Sequence, residues 1–212
     1  MPPLLQHIIY LENFIVKYDN SLIFGNTIIR KVDMMIIVIG SRREGNSWNL
    51  AQKIKEGLDK ERISCSIITP GNQRIHLCTG CMDCDKNGVC DFTDDMKSNI
   101  DKIKNDDYLM FITPVRWNLL SGDLKIFIDR LNPLYSSKGL KGKKFIAVAI
   151  GAKGKEKYGT ESAINSLTSF AENAGMEIIL DKEFNHCLDG TDILCKEEEI
   201  NNFIESIKSK VA

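Results

Sequence analysis

Residues 35–39 read MIIVI, and they lead directly into the loop GSRREGNSWN at residues 40–49. A short, unbroken apolar run of this kind is typical of a strand that is buried on both faces of a parallel sheet. Over residues 47–60, apolar side chains recur at helical spacing with charged ones between them. The stretch therefore predicts a buried strand, a tight loop and an amphipathic helix.

The alternation of strands and helices continues along the chain. Further strands are predicted at residues 63–69, 108–113, 144–150 and 176–181. Further helices are predicted at residues 95–104, 122–131, 160–174 and 197–210. Five strands that alternate with helices predict an α/β fold, in which an open, doubly wound, five-stranded parallel sheet carries helices on both faces.

Residues 1–33 do not follow this alternation, because their Ile, Asn, Tyr and Lys residues mix without a clear period. We expect them to form an N-terminal extension outside a core domain at residues 34–212. Met34 and Met35 directly precede the first predicted strand, so a protein translated from one of them is the alternative. Measuring the intact mass of the natively expressed protein separates the two possibilities.

The composition is that of an ordinary globular protein, with 43% hydrophobic and 27% charged residues, which argues against disorder and disulfide scaffolds. The net charge of -1 offers no field that would attract nucleic acid or an anionic membrane, so we expect neither as a partner. The sequence shows no secretory leader and no membrane-spanning apolar run, and we expect a cytoplasmic protein. Cysteines that cluster in that compartment are metal ligands or catalytic thiols more often than disulfides.

The loop at residues 40–49 has the composition of a phosphate-binding loop. It offers small residues for close backbone approach, hydroxyl and amide donors, two arginines and the N-terminus of a helix. The nucleoside triphosphate motif is excluded because Asn46 stands at its lysine position, and the dinucleotide motif GxGxxG is missing. A single terminal phosphate, as in flavin mononucleotide (FMN), suits the loop better. The alternative is a turn in which Gly40 and Gly45 serve the backbone and Ser47 caps the helix.

Four cysteines lie within one loop between the second predicted strand and the next helix, at Cys78, Cys81, Cys84 and Cys90. Their spacing lets three sulfurs converge, and Gly88 lets the chain turn back for the fourth, an arrangement that suits a 4Fe-4S cluster. A structural zinc site and a set of free thiols are the alternatives. The remaining cysteines, Cys65, Cys187 and Cys195, are interpreted as structural.

Together these motifs resemble the iron-sulfur flavoprotein family, a branch of the NADPH-dependent FMN reductase-like oxidoreductases with a flavodoxin-like fold. The resemblance covers about residues 35–212. The matching segments are GSRREGNS at 40–47, CTGCMDCDKNGVCDFTDDM at 78–96, TPVRWNLLSGDLKIFIDR at 113–130 and GAKGKEKYGTE at 151–161.

The resemblance implies roles for individual residues. The phosphate of FMN would be held by Ser41, Arg43, Gly45, Asn46 and Ser47. The turn after the third strand would line the flavin ring through Pro114, Val115, Arg116, Trp117 and Asn118. The other side of the ring would be covered by Gly151, Tyr158 and Gly159. The four clustered cysteines would bind the 4Fe-4S cluster.

Two residues depart from the pattern of the family. The phosphate loop is one residue shorter than usual and has Arg42 at a proline position, and Arg116 replaces the usual tyrosine beside the flavin. A cation beside the ring is expected to favour the anionic reduced flavin. Three charged residues on the helix at 122–131, Lys125, Asp129 and Arg130, are interpreted as a solvated face or as ion pairs at a subunit interface.

The resemblance implies an FMN-dependent oxidoreductase that transfers electrons between the cluster and FMN. It would reduce a small acceptor, such as a quinone or an oxygen species, or a ferredoxin-like protein, and it would form a homodimer or homotetramer. The alternative is a cluster-free reductase of flavins or quinones that takes hydride from NAD(P)H. A third hypothesis is a redox-sensing or zinc-stabilised binding module.

Overall fold

The computed structural model describes residues 15–18, 21–24, 27–30, 34–153 and 159–211. The chain divides into two compact units, residues 1–32 and 33–212. The first unit contains three short strands, which are β1 (Ile15–Tyr18), β2 (Ser21–Phe24) and β3 (Thr27–Arg30). They pair in sequence order as an antiparallel sheet. The sequence analysis assigned no strand to this segment, although Gly25-Asn26 is a dipeptide typical of two-residue hairpins.

The second unit alternates strands and helices as predicted. Its elements are β4 (Met34–Ile39), α1 (Asn46–Asp59), β5 (Ser64–Ile68), α2 (Asp83–Asn87), α3 (Met96–Asn105), β6 (Tyr108–Pro114), α4 (Gly122–Asp129), α5 (Asn132–Ser136), β7 (Lys144–Ile150), α6 (Glu161–Asn173), β8 (Glu177–Phe184) and α7 (Glu197–Val211), with 3-10 turns at Pro70–Asn72 and Asp192–Cys195. All five strands are parallel, in the order β5-β4-β6-β7-β8. The predicted fold class is confirmed.

Strand β4 shows why the sheet is covered on both faces. Its residues from Met35 to Ile39 have no exposed surface. Met35, Ile37 and Ile39 belong to one apolar cluster, with residues of α1 and α7. Ile36 and Val38 point to the opposite face, where they join residues of α3, α4 and α6. Because successive side chains of a strand alternate between faces, a continuous apolar run requires a helical layer on each side.

Parallel strands bring their carboxyl ends to one edge of the sheet. The chain leaves β4 toward β5 on one side and returns to β6 on the other, so a crevice opens between the ends of β4 and β6. Gly40 lies at this point and donates its N–H to the Ile112 carbonyl over 2.8 Å. A Cβ atom here would lie 2.3 Å from Ser121 Oγ, so the approach of β4 to the start of α4 requires glycine.

Candidate functional site

A cleft opens at the carboxyl edge of the sheet, between the loops that follow β4, β6, β7 and β8. It contains about 590 Å³ of empty space, part of which is open solvent. The lining residues are Ser41, Arg43, Gly45, Asn46, Ser47, Pro114, Val115, Arg116, Ile150, Ala152, Cys187 and Leu188. The fold thus brings the predicted phosphate loop to the same cleft as the first part of the predicted flavin turn.

The phosphate-loop end of the cleft is the N-terminus of α1. Gly45 precedes the helix, no side chain caps the helix, and its first turn carries no acidic residue. The N–H groups of that turn have no partners within the helix, and the helix dipole adds positive potential. Arg43 lines the same end of the cleft. Backbone donors and a guanidinium therefore face a position that suits a phosphate.

The two arginines of the loop have different surroundings. Arg42 forms a bidentate ion pair with Asp123, with Nε–O distances of 3.0 and 3.1 Å and an Nη2–Oδ1 distance of 2.8 Å. The hydrogen bond to Asp123, followed by the carboxylate charge, raises the pKa of Arg42. Asn72 Nδ2 also donates to the Arg42 carbonyl over 3.1 Å. Arg42 therefore fastens the loop to α4, and Arg43 is the arginine that lines the cleft.

The Asn46 side chain connects two loops of the cleft. Its Nδ2 donates to the Asp189 carbonyl over 2.6 Å and to the Cys187 carbonyl over 3.5 Å. Its Oδ1 accepts from the Ile193 N–H over 3.0 Å. This amide holds the loop after β8 against the phosphate loop, while the predicted phosphate contact of Asn46 stays a prediction.

The turn after β6 presents its free donors at its tip. The Val115 N–H donates to the Ile150 carbonyl over 2.9 Å, and Arg116 and Leu119 exchange two backbone hydrogen bonds of 2.9 Å. Trp117 (φ +51°) and Asn118 (φ +63°) occupy the left-handed region, as in a type I′ turn. Within the described chain, their two N–H groups have no backbone acceptor. The Trp117 ring is 97% exposed and lies outside the cleft lining.

The residues predicted to cover the other side of the ring lie at different positions relative to the cleft lining. Gly151 is buried, and its N–H donates to the Phe184 carbonyl while its own carbonyl accepts from the Cys187 N–H, both over 2.9 Å. The next residue, Ala152, lines the cleft in its place. Gly159 is half-buried and is not among the lining residues. Tyr158 lies outside the described residues.

Cys187 is a lining residue that the sequence analysis treated only as structural. It is buried, and its Sγ donates to the Asn185 carbonyl over 3.6 Å. Burial raises the pKa of the Cys187 thiol to about 11, so the thiol is neutral near pH 7. It adds a small, weakly polar surface to the cleft.

The four clustered cysteines line a second cavity, which contains about 390 Å³ of empty space. Cys84 is 8% exposed, Cys90 is half-buried, and Cys78 and Cys81 are exposed. Left-handed backbone at Gly80, Met82 and Gly88 bends the loop around the cavity, and the Gly88 N–H donates to the Cys84 carbonyl over 2.8 Å. The expected turn of the chain at Gly88 is confirmed.

The electrostatics of this loop indicate thiols that are close to one another. Burial raises the pKa of the Cys84 thiol, and charges on Asp85, Cys90 and Cys81 raise it further. Mutual repulsion of this kind disappears when the thiolates share a positively charged metal centre, because metal binding requires and stabilises the deprotonated ligands. The donor set therefore fits a metal–thiolate group.

The spacing of the sulfurs argues against a preformed zinc site. Zinc bonds of about 2.3 Å to four tetrahedral sulfurs place those sulfurs about 3.8 Å apart. Within residues 34–153 and 159–211, the only group of at least three candidate ligand atoms lying within 4.8 Å of one another is formed by Cys81, Asp83 and Asp91. The four cysteines therefore line a common cavity, but no three of their sulfurs lie within 4.8 Å of one another.

One end of α4 lies beside the phosphate loop, and the other end lines the cysteine cavity. Near its N-terminus, Gly122 and Asp123 share a depression with Ser41 and Arg43 of the phosphate loop. At its C-terminus, Asp129 and the adjoining Arg130 line the cysteine cavity. The helix has eight residues and is therefore about 12 Å long.

The interpretation of the α4 charges was correct for two residues and wrong for the third. Lys125 and Asp129 form an exposed ion pair of 2.6 Å, as expected for a solvated face. Arg130 is 2% exposed and pairs with the buried Asp94. Helical spacing did not reveal this, because Asp94 lies 36 residues earlier in the chain.

Comparison with known proteins identifies the family. A family model described as NADPH-dependent FMN reductase matches residues 34–187. An iron-sulfur flavoprotein of Methanocaldococcus jannaschii is 28% identical over 172 residues, which make up 78% of this chain and 88% of that protein. A Bacillus subtilis protein named as an NAD(P)H-dependent FMN-containing oxidoreductase is 37% identical over 101 residues, 46% of this chain and 51% of its own.

Among solved structures, an NAD(P)H:quinone oxidoreductase from Methanothermobacter marburgensis superposes with a TM-score of 0.64. It covers 82% of this chain and 94% of its own at 17% sequence identity, which shows a common fold. The family match extends from β4 to the loop after β8 and includes every residue that lines the two cavities except Leu188. The resemblance seen in the sequence is confirmed: the chain belongs to the NADPH-dependent FMN reductase family, whose members are flavin-dependent oxidoreductases with a flavodoxin-like fold.

Proposed function

We propose that the protein holds FMN in the cleft and a 4Fe-4S cluster on the four clustered cysteines, and that it transfers electrons between these two centres. The final acceptor would be a small molecule, such as a quinone or an oxygen species, or a ferredoxin-like protein. The observation that carries this proposal is the convergence of Cys78, Cys81, Cys84 and Cys90 on one cavity, at the opposite end of α4 from the phosphate loop.

Different residues of the cleft would contact different parts of FMN. The N–H groups at the start of α1, together with Arg43, would bind the phosphate. The free N–H groups of Trp117 and Asn118 would face polar atoms at the edge of the ring. Arg116 would place a cation beside the ring and favour its anionic reduced form. Among the residues that the structure describes, the cleft lining includes no carboxylate or histidine, which suits electron transfer without a protein acid or base.

The cysteine loop would hold the cluster at the surface of the protein. When bound, FMN supplies hydride acceptance together with one-electron steps, and a 4Fe-4S cluster supplies one-electron steps alone. The buried Cys84 would anchor the inner side of the cluster, and the exposed Cys78 and Cys81 would leave its outer side near solvent. A partner protein could therefore approach this side directly.

Metal and flavin analysis of anaerobically purified protein tests the proposal. We expect about four iron atoms per chain with matching acid-labile sulfide, and one FMN. Cys84→Ser should lose the iron and keep FMN. Cys65→Ser is the matched control, because Cys65 is equally buried but lies in β5, away from the cavity, and it should keep both. Wild-type protein that contains zinc or no metal, or Cys84→Ser protein with normal iron, would contradict the cluster assignment.

A cluster-free NAD(P)H-dependent reductase is the second candidate, and the 37% identity to the B. subtilis oxidoreductase favours it. The same preparations distinguish the two functions. If NADPH reduces quinones at wild-type rates in Cys84→Ser protein without iron, the thiols are incidental. We also propose a homodimer or homotetramer, which sedimentation of the native protein tests.

A further inference from the structure

We propose that Arg130 is a positioning residue for the metal–thiolate site: its Nε–H donates a hydrogen bond to the sulfur of metal-bound Cys90 and raises the reduction potential of the cluster. The inference rests on the proposed function and deepens it. It concerns one residue that neither the motif spacing nor the flavin cleft accounts for.

Arg130 is held firmly at the wall of the cysteine cavity. Its Nη1 donates to Asp94 Oδ2 over 2.7 Å and to the His76 carbonyl over 2.8 Å, and its Nη2 donates to Asp94 Oδ1 over 3.1 Å. Asp94 is itself held by the N–H groups of His76 and Met96, over 2.9 and 3.1 Å. Because the guanidinium is planar and two of its nitrogens are held in place, the direction of the Nε–H bond is fixed as well.

Of the three guanidinium nitrogens, Nε is the one that makes no hydrogen bond. It is buried and has no hydrogen-bond partner within the described part of the chain. Arg130 lines the cavity together with Cys90. Burial alone would lower the pKa of Arg130, but Asp94 and, after it, the neighbouring Cys90 sulfur raise this pKa overall. A buried N–H without an acceptor loses its hydrogen bonds to water and gains none in return, so a partner is expected. The Cys90 sulfur is the acceptor nearby that becomes anionic when it binds metal.

The surroundings of Arg130 strengthen such a contact. The ring of Phe92 lies 4.9 Å from the guanidinium carbon and stacks on His76 with a ring separation of 5.2 Å. The Phe92 ring covers the guanidinium, Arg130 is only 2% exposed, and electrostatic interactions are stronger where water is excluded. The positive end of the ion pair faces the cysteines, and Asp94 lies behind it.

The expected consequence concerns the charge of the cluster. Reduction adds one negative charge to a cluster that is bound by four thiolates. A hydrogen-bond donor and a cation on the Cys90 side stabilise the reduced form more than the oxidised form, which raises the potential. A merely structural ion pair would support the loop but leave the potential unchanged.

Potentiometric titration of the holoprotein, followed by electron paramagnetic resonance for the cluster and by absorbance for FMN, tests the proposal. Arg130→Lys keeps a charge for Asp94 but has no Nε at that position. We expect at least a tenfold shift of the one-electron equilibrium toward the oxidised cluster, which is 59 mV for a single electron. The FMN potential should not change. Lys55→Gln breaks a comparable exposed ion pair, with Asp59 on α1, whose two residues line neither cavity. It is the control and should leave both potentials at their wild-type values.

If the lysine variant does not fold, the double variant Arg130→Gln with Asp94→Asn, which removes both charges of the pair, is titrated in its place. An unchanged cluster potential in a variant with normal iron content would overturn the inference while leaving the proposed function intact. Wild-type protein without a cluster signal would overturn the proposed function, and this inference with it.

Discussion

Replacing Gly40 by alanine should destabilise the fold and weaken FMN binding together. The added Cβ would lie 2.3 Å from Ser121 Oγ and 2.9 Å from Leu124 Cβ. Ser121 is buried, its N–H donates to Thr113 Oγ1 over 2.9 Å, and its Oγ accepts from the Leu124 N–H as the cap of α4. The hydroxyl can rotate away only by giving up this cap, and Leu124 Cβ can move only with its helix.

These two contacts set the magnitude. Loss of a side-chain cap costs about 1 kcal/mol, and forcing an extra methyl group into a packed core costs about 1–3 kcal/mol. We therefore expect Gly40→Ala to lower the free energy of unfolding by about 2–4 kcal/mol. Because the phosphate loop begins at Ser41, the same displacement should weaken FMN binding at least tenfold.

Urea denaturation with and without FMN, together with a flavin-fluorescence titration, measures both effects. Gly122→Ala is the matched control, since a Cβ there has no neighbour within 4 Å, and it should leave stability unchanged or raise it by about 0.4–1 kcal/mol. Ser121→Ala should cost about 1 kcal/mol in the wild-type background but nearly nothing beside Gly40→Ala, where the cap is already lost. Equal stability of the two glycine variants would refute the packing argument.

Three further predictions concern charged groups. Asp94→Asn leaves the Arg130 charge buried without its partner and should cost about 3–5 kcal/mol in urea denaturation of the metal-free protein; a loss below 1 kcal/mol would contradict burial of the pair. Burial alone would raise the pKa of Asp94, but hydrogen bonds led by that of Arg130 lower it overall. The Asp94 carboxylate therefore stabilises the fold at pH values above its unfolded pKa of about 3.9. This stabilisation is lost as the pH falls through the lower pKa of the folded state. Below about pH 4, the urea midpoint of Asp94→Asn should therefore fall less steeply with pH than that of the wild-type protein. Arg43→Ala should weaken FMN binding by about 1.5–3 kcal/mol, and Arg42→Ala, whose guanidinium already pairs with Asp123, should weaken it less; equal losses in a fluorescence titration would show that both arginines reach the phosphate.

Most of the fold could be predicted from local patterns. The apolar run at 35–39 indicated burial on both faces of a sheet, and the helical spacing over 47–60 indicated one solvated face; the structure has both features. The three strands in the first unit were missed because short strands of mixed composition show no clear period. The short helices α2 and α5 have five residues each, too few for a helical period to appear.

Some residues of the site could likewise be predicted from local sequence, and others could not. Residues 41–47 follow a strand directly, so their position at the strand ends follows from the order of elements, and five of them line the cleft: Ser41, Arg43, Gly45, Asn46 and Ser47. Asn46 pairs with residues more than 140 positions away, and Gly151 uses its backbone within the fold instead of lining the cleft. No local pattern encodes such contacts.

The amino-acid sequence alone determined the α/β fold class, the phosphate loop and the grouping of four cysteines. These features depend on hydrophobic periodicity and on close spacing, which involve only a few neighbouring residues and the chemistry of their side chains. The tertiary structure alone decided which of two neighbouring arginines lines the cleft, and that Arg130 lies buried against Asp94 beside the cysteines. The physical reason is that the environment of a charge is set by whatever the folded chain brings next to it, at any distance along the sequence.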